Sequence, residues 1–200
     1  MFAWMEQLLT TDIAQYGLWA VFITMTLESA CIPVPSEVVM PYAGHLVAKG
    51  QMGFWAPVLV ASLANLTGSW LAYAVGRVGG RGFIAKYGRY ILLNTRHLAM
   101  ADRWFAGRGE ATVFVSRMLP AVRTFISLPA GIARMNFFKF TIYSFLGALP
   151  WNLLLVYLGY IFTDRWNELQ GYLHNFNYVV FSILGLLVVG WYFWRRKRRR

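Results

Sequence analysis

The sequence predicts an all-α polytopic membrane protein. Its expected plan is an inverted repeat of two re-entrant helical hairpins, each followed by a transmembrane helix, with a further C-terminal transmembrane helix. Three observations predict it. Hydrophobic residues make up 58% of the 200 residues and charged residues only 14%, against about a quarter charged in soluble domains. Three long runs, Gln51–Gly76, Phe140–Thr163 and Gln170–Trp194, contain no Asp, Glu, Lys or Arg. The basic residues, source of a net charge of +11, are clustered rather than spread. A disordered chain is excluded, and an ordinary soluble enzyme does not fit.

The N-terminal segment, residues 1–12, lacks a basic n-region and carries Glu6, unlike a cleavable signal peptide. With Trp4, Leu8 and Leu9 it reads as an interfacial helix. Residues 13–48 are too short for two spans, each of which needs about 20 residues. Their middle is broken by Ile32-Pro33-Val34-Pro35-Ser36-Glu37 and again by Pro41. The expectation is a re-entrant hairpin entering from the outer face, with the N-terminus outside; an internal N-terminus followed by one kinked span is the alternative. Residues 51–76 form the first full span.

Residues 77–110 hold Arg77, Arg81, Lys86, Arg89, Arg96, Arg103 and Arg108, and positive loops stay in the cytoplasm. Within this loop Thr95 caps an amphipathic surface helix whose apolar face is Leu98, Ala101, Trp104 and Phe105. The tail, residues 195–200, is Arg-Arg-Lys-Arg-Arg-Arg. It too is placed inside, where it contacts anionic lipid rather than nucleic acid. A single crossing between residues 111 and 134 would put one of these two clusters outside. That segment contains Pro120 and Pro129 and is therefore expected to be a second re-entrant hairpin. Non-helical backbone at that depth is tolerated where protein or a wet cavity satisfies it. Residues 140–163 and 178–194 are the remaining spans. Faint echoes relate the halves. Pro41-Tyr42-Ala43-Gly44 matches Pro129-Ala130-Gly131, and Tyr73-Ala74-Val75-Gly76 matches Tyr157-Leu158-Gly159. Together with the opposed topology they suggest the inverted repeat common among secondary transporters.

Four charges fall inside the hairpins: Glu28, Glu37, Arg117 and Arg123. A charge at membrane depth costs about 2.5 kcal/mol or more, so pairing, water or a ligand must offset it. One reading is a structural ion pair that locks the hairpins together. The other is functional. Arginine presents a planar fork suited to phosphate oxygens, and two arginines around Pro120 can grip one phosphate monoester. Half-helix N-termini near Pro120 and Pro129 would add backbone donors. Glu28 and Glu37 are candidates for proton coupling, since burial favours the protonated carboxyl. His45, His97 and His174 lack metal-ligand spacing, so no metal and no cofactor are expected. Asn65 and Asn152 suit interhelical hydrogen bonds. Cys31, the one cysteine, reads as a structural thiol.

The segment from Glu28 to Glu37, Glu-Ser-Ala-Cys-Ile-Pro-Val-Pro-Ser-Glu, resembles the signature of the DedA family. So does Phe114-Val115-Ser116-Arg117-Met118-Leu119-Pro120-Ala121-Val122-Arg123, continuing into Ser127-Leu128-Pro129-Ala130-Gly131. Gly76-Arg77-Val78-Gly79-Gly80 and Lys86-Tyr87-Gly88 match the family's basic loop. The resemblance covers residues 15 to 160. It implies a multi-pass protein of the bacterial inner membrane that translocates a phosphate-bearing lipid. Undecaprenyl phosphate is the leading substrate, and phospholipid flipping or scrambling is the alternative. It assigns proton coupling to Glu28 and Glu37, and substrate binding to Arg117 and Arg123 with Ser36, Pro120 and Gly131. Where many members carry an acidic residue, this chain has Gly68-Ser69. A lipid phosphatase is the competing enzyme reading. Tyr42-Ala43-Gly44-His45 faintly echoes such enzymes, but no nucleophile–base pair stands near Arg117, so no catalytic residue is expected.

Overall fold

A computed structural model describes residues 13, 15–32, 34–80, 82, 95–119 and 122–165, with side chains from residue 102 onward in the helix that begins at Thr95. The interfacial segment 1–12, Pro120, most of the basic loop, the span 178–194 and the tail 195–200 lie outside the described residues. The chain divides into two units, Met1–Thr163 and Asp164–Arg200. All that follows concerns the first; of the second, Asp164 and Arg165 continue a 3-10 turn.

Among the described residues the fold is entirely helical. The helices are α1 (Leu18–Ser29), α2 (Ser36–Ala48), α3 (Trp55–Val75), α4 (Thr95–Arg117), α5 (Ser127–Ile132) and α6 (Phe137–Ile161). A π-helical turn, Gly76–Gly80, extends α3. Two helices are long and apolar enough to cross a membrane, Trp55–Gly80 and Phe137–Ile161. Their outward faces carry Trp55, Leu59, Leu63 and Leu71 on α3, and Phe138, Ile142, Leu146 and Leu154 on α6. Apolar residues exposed at helical spacing are what a lipid solvent accepts. By contrast α1 has 12 residues and α2 has 13. At about 1.5 Å per residue neither reaches across a hydrocarbon core of about 30 Å.

The break between α1 and α2 is a Schellman turn. Ile32 N–H donates to the Leu27 carbonyl at 3.1 Å and Cys31 N–H to that of Glu28 at 3.0 Å. Cys31 occupies the left-handed position with φ 68°. The same motif ends α2, with Gly50 at φ 72°, and α5, with Arg134 at φ 53°.

Two boundaries differ from expectation. Pro41 sits inside α2 and does not break it. Proline removes one donor, and tight neighbours let a membrane helix absorb that loss; here α6 packs closely enough for Gly159 to meet the Pro41 carbonyl. The surface helix and the first arm of the second broken segment are one helix, α4, passing through the expected boundary at residue 110. Only Gly107 and Gly109 interrupt its helix-forming sequence, and isolated glycines weaken a helix without ending it.

Helix packing is reciprocal. The first arm of each half lies on that half's long helix, α1 on α3 and α4 on α6. The second arm crosses to the other half's long helix, α2 on α6 and α5 on α3, and α3 packs on α6. Glycines make the crossings. A Cβ on Gly44 would lie 2.1 Å from the Val156 carbonyl oxygen and 3.0 Å from the Tyr160 nitrogen. One on Gly131 would lie 2.2 Å from the Tyr73 oxygen and 3.0 Å from the Arg77 nitrogen. In return, Gly159 faces the Pro41 oxygen and Gly76 the Leu128 oxygen. Each echoing segment meets a member of the other echoing pair, 41–44 against 156–160 and 128–131 against 73–77.

Candidate functional site

The two breaks bring their polar ends together. Glu28 closes α1, Ser36 and Glu37 open α2, and Arg117 closes α4. Arg123 lies in the tight turns between α4 and α5, where its N–H bonds back to the Leu119 carbonyl at 3.0 Å. Ser127 opens α5. All six are buried.

Arg123 binds across the two halves. Its Nη2 donates to Glu28 Oε1 and to Ser36 Oγ, and Ser36 Oγ–H donates to the same Glu28 oxygen at 3.0 Å. The side chains of Arg123 and Glu28 are 5% and 7% exposed, making this a buried ion pair. The guanidinium also lies over the Trp151 ring, 5.6 Å from its centroid, a cation–π contact. Cys31 Sγ–H, at the first break, donates to the Thr124 carbonyl at 3.4 Å.

Arg117 is held differently. Its Nη2 is shared among three hydroxyls: Ser69 Oγ of α3 at 2.6 Å, Ser127 Oγ of α5 at 2.8 Å and Ser144 Oγ of α6 at 3.4 Å. Among the described residues no carboxylate bonds to it. It is 3% exposed and lies within electrostatic reach of Arg123, Glu28 and Cys31. Its hydrogen-bond partners among the described residues are neutral hydroxyls.

Glu37 is buried at the first turn of α2, and among the described residues it has no hydrogen-bond or ion-pair partner. It lies close enough to Glu28 for the two carboxyls to interact. Gly131 stands one turn beyond Ser127, against the α3 backbone. Pro120 lies outside the described residues. His45 is buried beside Tyr42, their rings stacked 5.9 Å apart. Among the described residues no group of three or more His, Cys, Asp or Glu is gathered to hold a metal.

Behind the charges runs a neutral polar seam where α1, α3 and α6 meet. Ser29 Oγ–H donates to Asn65 Oδ1 at 2.9 Å, Asn65 Nδ2 to Asn152 Oδ1 at 3.4 Å, and Asn152 Nδ2 to Ser62 Oγ at 3.1 Å. Ser69, Oγ acceptor for Arg117, donates to the Asn65 carbonyl, tying the seam to the arginine. Sequence reasoning found the two asparagines and noted Ser69 only as a departure from the family pattern; it gave no role to Ser127, Ser144 or Trp151. The available signal was spacing: Ser62, Asn65 and Ser69 fall on one helical face of an otherwise apolar span. Farther out, Lys139 Nζ pairs with Glu110 Oε1, joining α4 to α6, and that bond holds the Glu110 carboxyl below its usual range.

A family model described as VTT domain matches residues 34–161. The chain is 37% identical over 165 residues to undecaprenyl phosphate transporter A of Bacillus subtilis, covering 82% of this chain and 83% of that one. It is 31% identical over 201 residues to undecaprenyl phosphate transporter A of Staphylococcus aureus, covering 97% and 99%. It is 31% identical over 190 residues to an alkaline phosphatase-like protein of Lactococcus lactis, covering 92% and 89%. No solved structure matches.

Proposed function

The chain belongs to the VTT-domain family, the DedA proteins, and from that premise we propose that this bacterial membrane protein translocates a phosphate-bearing lipid, undecaprenyl phosphate first, across the inner membrane. It acts as a transporter and not as an enzyme, as the two named transporters among its relatives indicate. Arg117 and Arg123 bind the phosphate, with Ser36 beside them and Pro120 and Gly131 shaping the backbone. Glu28 and Glu37 exchange protons and couple movement to the proton gradient. The two halves act as an inverted repeat of re-entrant hairpins, and the basic tail anchors the C-terminus on the cytoplasmic side against anionic lipid.

The observation that carries this reading is Arg117, a buried cation bonded to serine hydroxyls alone. Glu37 supports the proton role as a buried carboxyl with no hydrogen-bond or ion-pair partner among the described residues. The reciprocal glycine crossings support the inverted repeat. Two halves that pack alike can exchange roles, as alternating access requires.

The test is uptake of a short-chain polyprenyl phosphate by proteoliposomes under an imposed pH gradient. Uptake that follows the gradient and is lost in Arg117→Lys is expected. Uptake equal to that of empty vesicles, or release of inorganic phosphate from the lipid, would sink the proposal.

A further inference from the structure

Three buried polar atoms of the cluster have no hydrogen-bond partner among the described residues: Arg117 Nε, Arg123 Nε and Glu28 Oε2. Ser127 and Ser144 each accept from Arg117, and among the described residues neither hydroxyl proton has an acceptor. An unmade hydrogen bond is costly where no water replaces it. The open groups therefore outline what completes them: four donors for anionic oxygens and one acceptor for a hydroxyl.

Resting on the reading of this cluster as a lipid-phosphate site, we infer that it is specific for phosphate monoesters, which it binds as the hydrogen-phosphate monoanion. Arg117 Nε, Arg123 Nε and the hydroxyls of Ser127 and Ser144 donate to the anionic oxygens, and Glu28 Oε2 accepts from the P–OH. Charge balance leads to the same form. Arg117 and Arg123 stand against one paired carboxylate, Glu28. These three charges leave one excess positive charge, which a monoanion neutralises. The titratable groups facing it are Glu37 of α2 and Cys31 of the first break. From the spans, α3 contributes no charge between Trp55 and Val75, and the Lys139 of α6 pairs with Glu110.

A phosphodiester carries one negative charge too, but it has no P–OH. It would leave Glu28 Oε2 facing an ester oxygen, acceptor against acceptor. Sites built to bond a ligand hydroxyl discriminate strongly against analogues that lack one, because their own group is left unpaired.

The experiment is calorimetric titration of the purified full-length protein in detergent micelles with three ligands. They are farnesyl phosphate, its methyl diester and inorganic phosphate. Farnesyl phosphate is expected to bind on the order of a hundredfold tighter than the diester, and tighter than inorganic phosphate. In Ser127→Ala/Ser144→Ala the affinity for farnesyl phosphate should fall by about tenfold or more while the melting temperature holds. Equal binding of monoester and diester overturns the specificity and leaves the lipid-phosphate reading standing. Binding of neither farnesyl ligand defeats that reading itself. Inorganic phosphate binding as tightly as farnesyl phosphate makes this a site for soluble phosphate and overturns the inference. Undiminished affinity for farnesyl phosphate in the double serine variant removes the serines from the site. If that variant does not fold, the wild-type comparison decides alone.

Discussion

Arg117 and Arg123 stand six positions apart in sequence, yet their removal should affect stability in opposite ways. Arg123→Gln takes away the partner of Glu28, a carboxylate whose side chain is 7% exposed. Breaking a buried ion pair from one side costs about 3–5 kcal/mol, because the other charge stays behind unpaired. In a domain of this size about 1 kcal/mol shifts the melting temperature by about 2–4 °C, so a fall of about 6–20 °C follows. Arg117→Gln leaves only serine hydroxyls behind. It loses charge-assisted bonds worth about 1.5–3 kcal/mol and relieves a charge at membrane depth that costs about 2.5 kcal/mol or more. These nearly offset, and a melting temperature within about 4 °C of wild type is expected. The assay is a thermal melt of each detergent-purified variant, followed by the fluorescence of its nine tryptophans, alongside titration with farnesyl phosphate. Both variants should lose ligand binding, and only Arg123→Gln should lose stability. Glu28→Gln/Arg123→Gln should recover much of that stability by removing both charges. Equal destabilisation by the two single variants, or no recovery in the double, would refute this division of labour.

The glycine crossings predict that Gly44→Ala and Gly131→Ala each cost about 1–3 kcal/mol, since the atoms in the way are backbone carbonyls. Gly107→Ala, in a helix with open space around it, should be neutral or stabilising by up to about 1 kcal/mol; the same melts read both. Cys31→Gly should raise stability by about 1 kcal/mol, because a left-handed residue at φ 68° strains every side chain but glycine. Glu37→Gln should melt like wild type and transport without dependence on the pH gradient; gradient-driven uptake at the wild-type rate excludes Glu37 as a proton carrier. In a Cys31→Ser background, single cysteines near Asn94 and in the tail should label from the cytoplasmic side, and one at Asn167 from outside. External labelling near Asn94 would break the charge-based topology.

Much of the plan was legible because the membrane acts on one-dimensional properties. Charge-free runs long enough to cross are visible in composition, and the two that the structure describes, 51–76 and 140–163, lie largely within long apolar helices, Trp55–Gly80 and Phe137–Ile161. The first break was legible through Pro33 and Pro35, because proline restricts the residues around it whatever the tertiary setting. The four charges of the two broken segments stood out for the cost a charge carries in hydrocarbon. Glu28, Glu37, Arg117 and Arg123 are all buried.

Partnership was decided only in three dimensions. Two acids and two arginines allow several pairings, and spacing does not choose among them. Packing of α2 on α6 and α5 on α3 gives Glu28 to Arg123 and leaves Arg117 to Ser69, Ser127 and Ser144. Those serines were inconspicuous because a hydroxyl costs little in a membrane helix, where it can bond to its own backbone. They come together only when three helices aim them at one nitrogen. Pro41 misled for a related reason: a proline's local cost is fixed by its ring, but whether a helix survives it depends on what packs alongside. Sequence by itself determined which runs are long and apolar and which charges are costly beside them, because solvation is a property of each residue. Tertiary structure decided which arginine is paired with a carboxylate and which is held by hydroxyls, because that depends on distances between residues far apart in the chain.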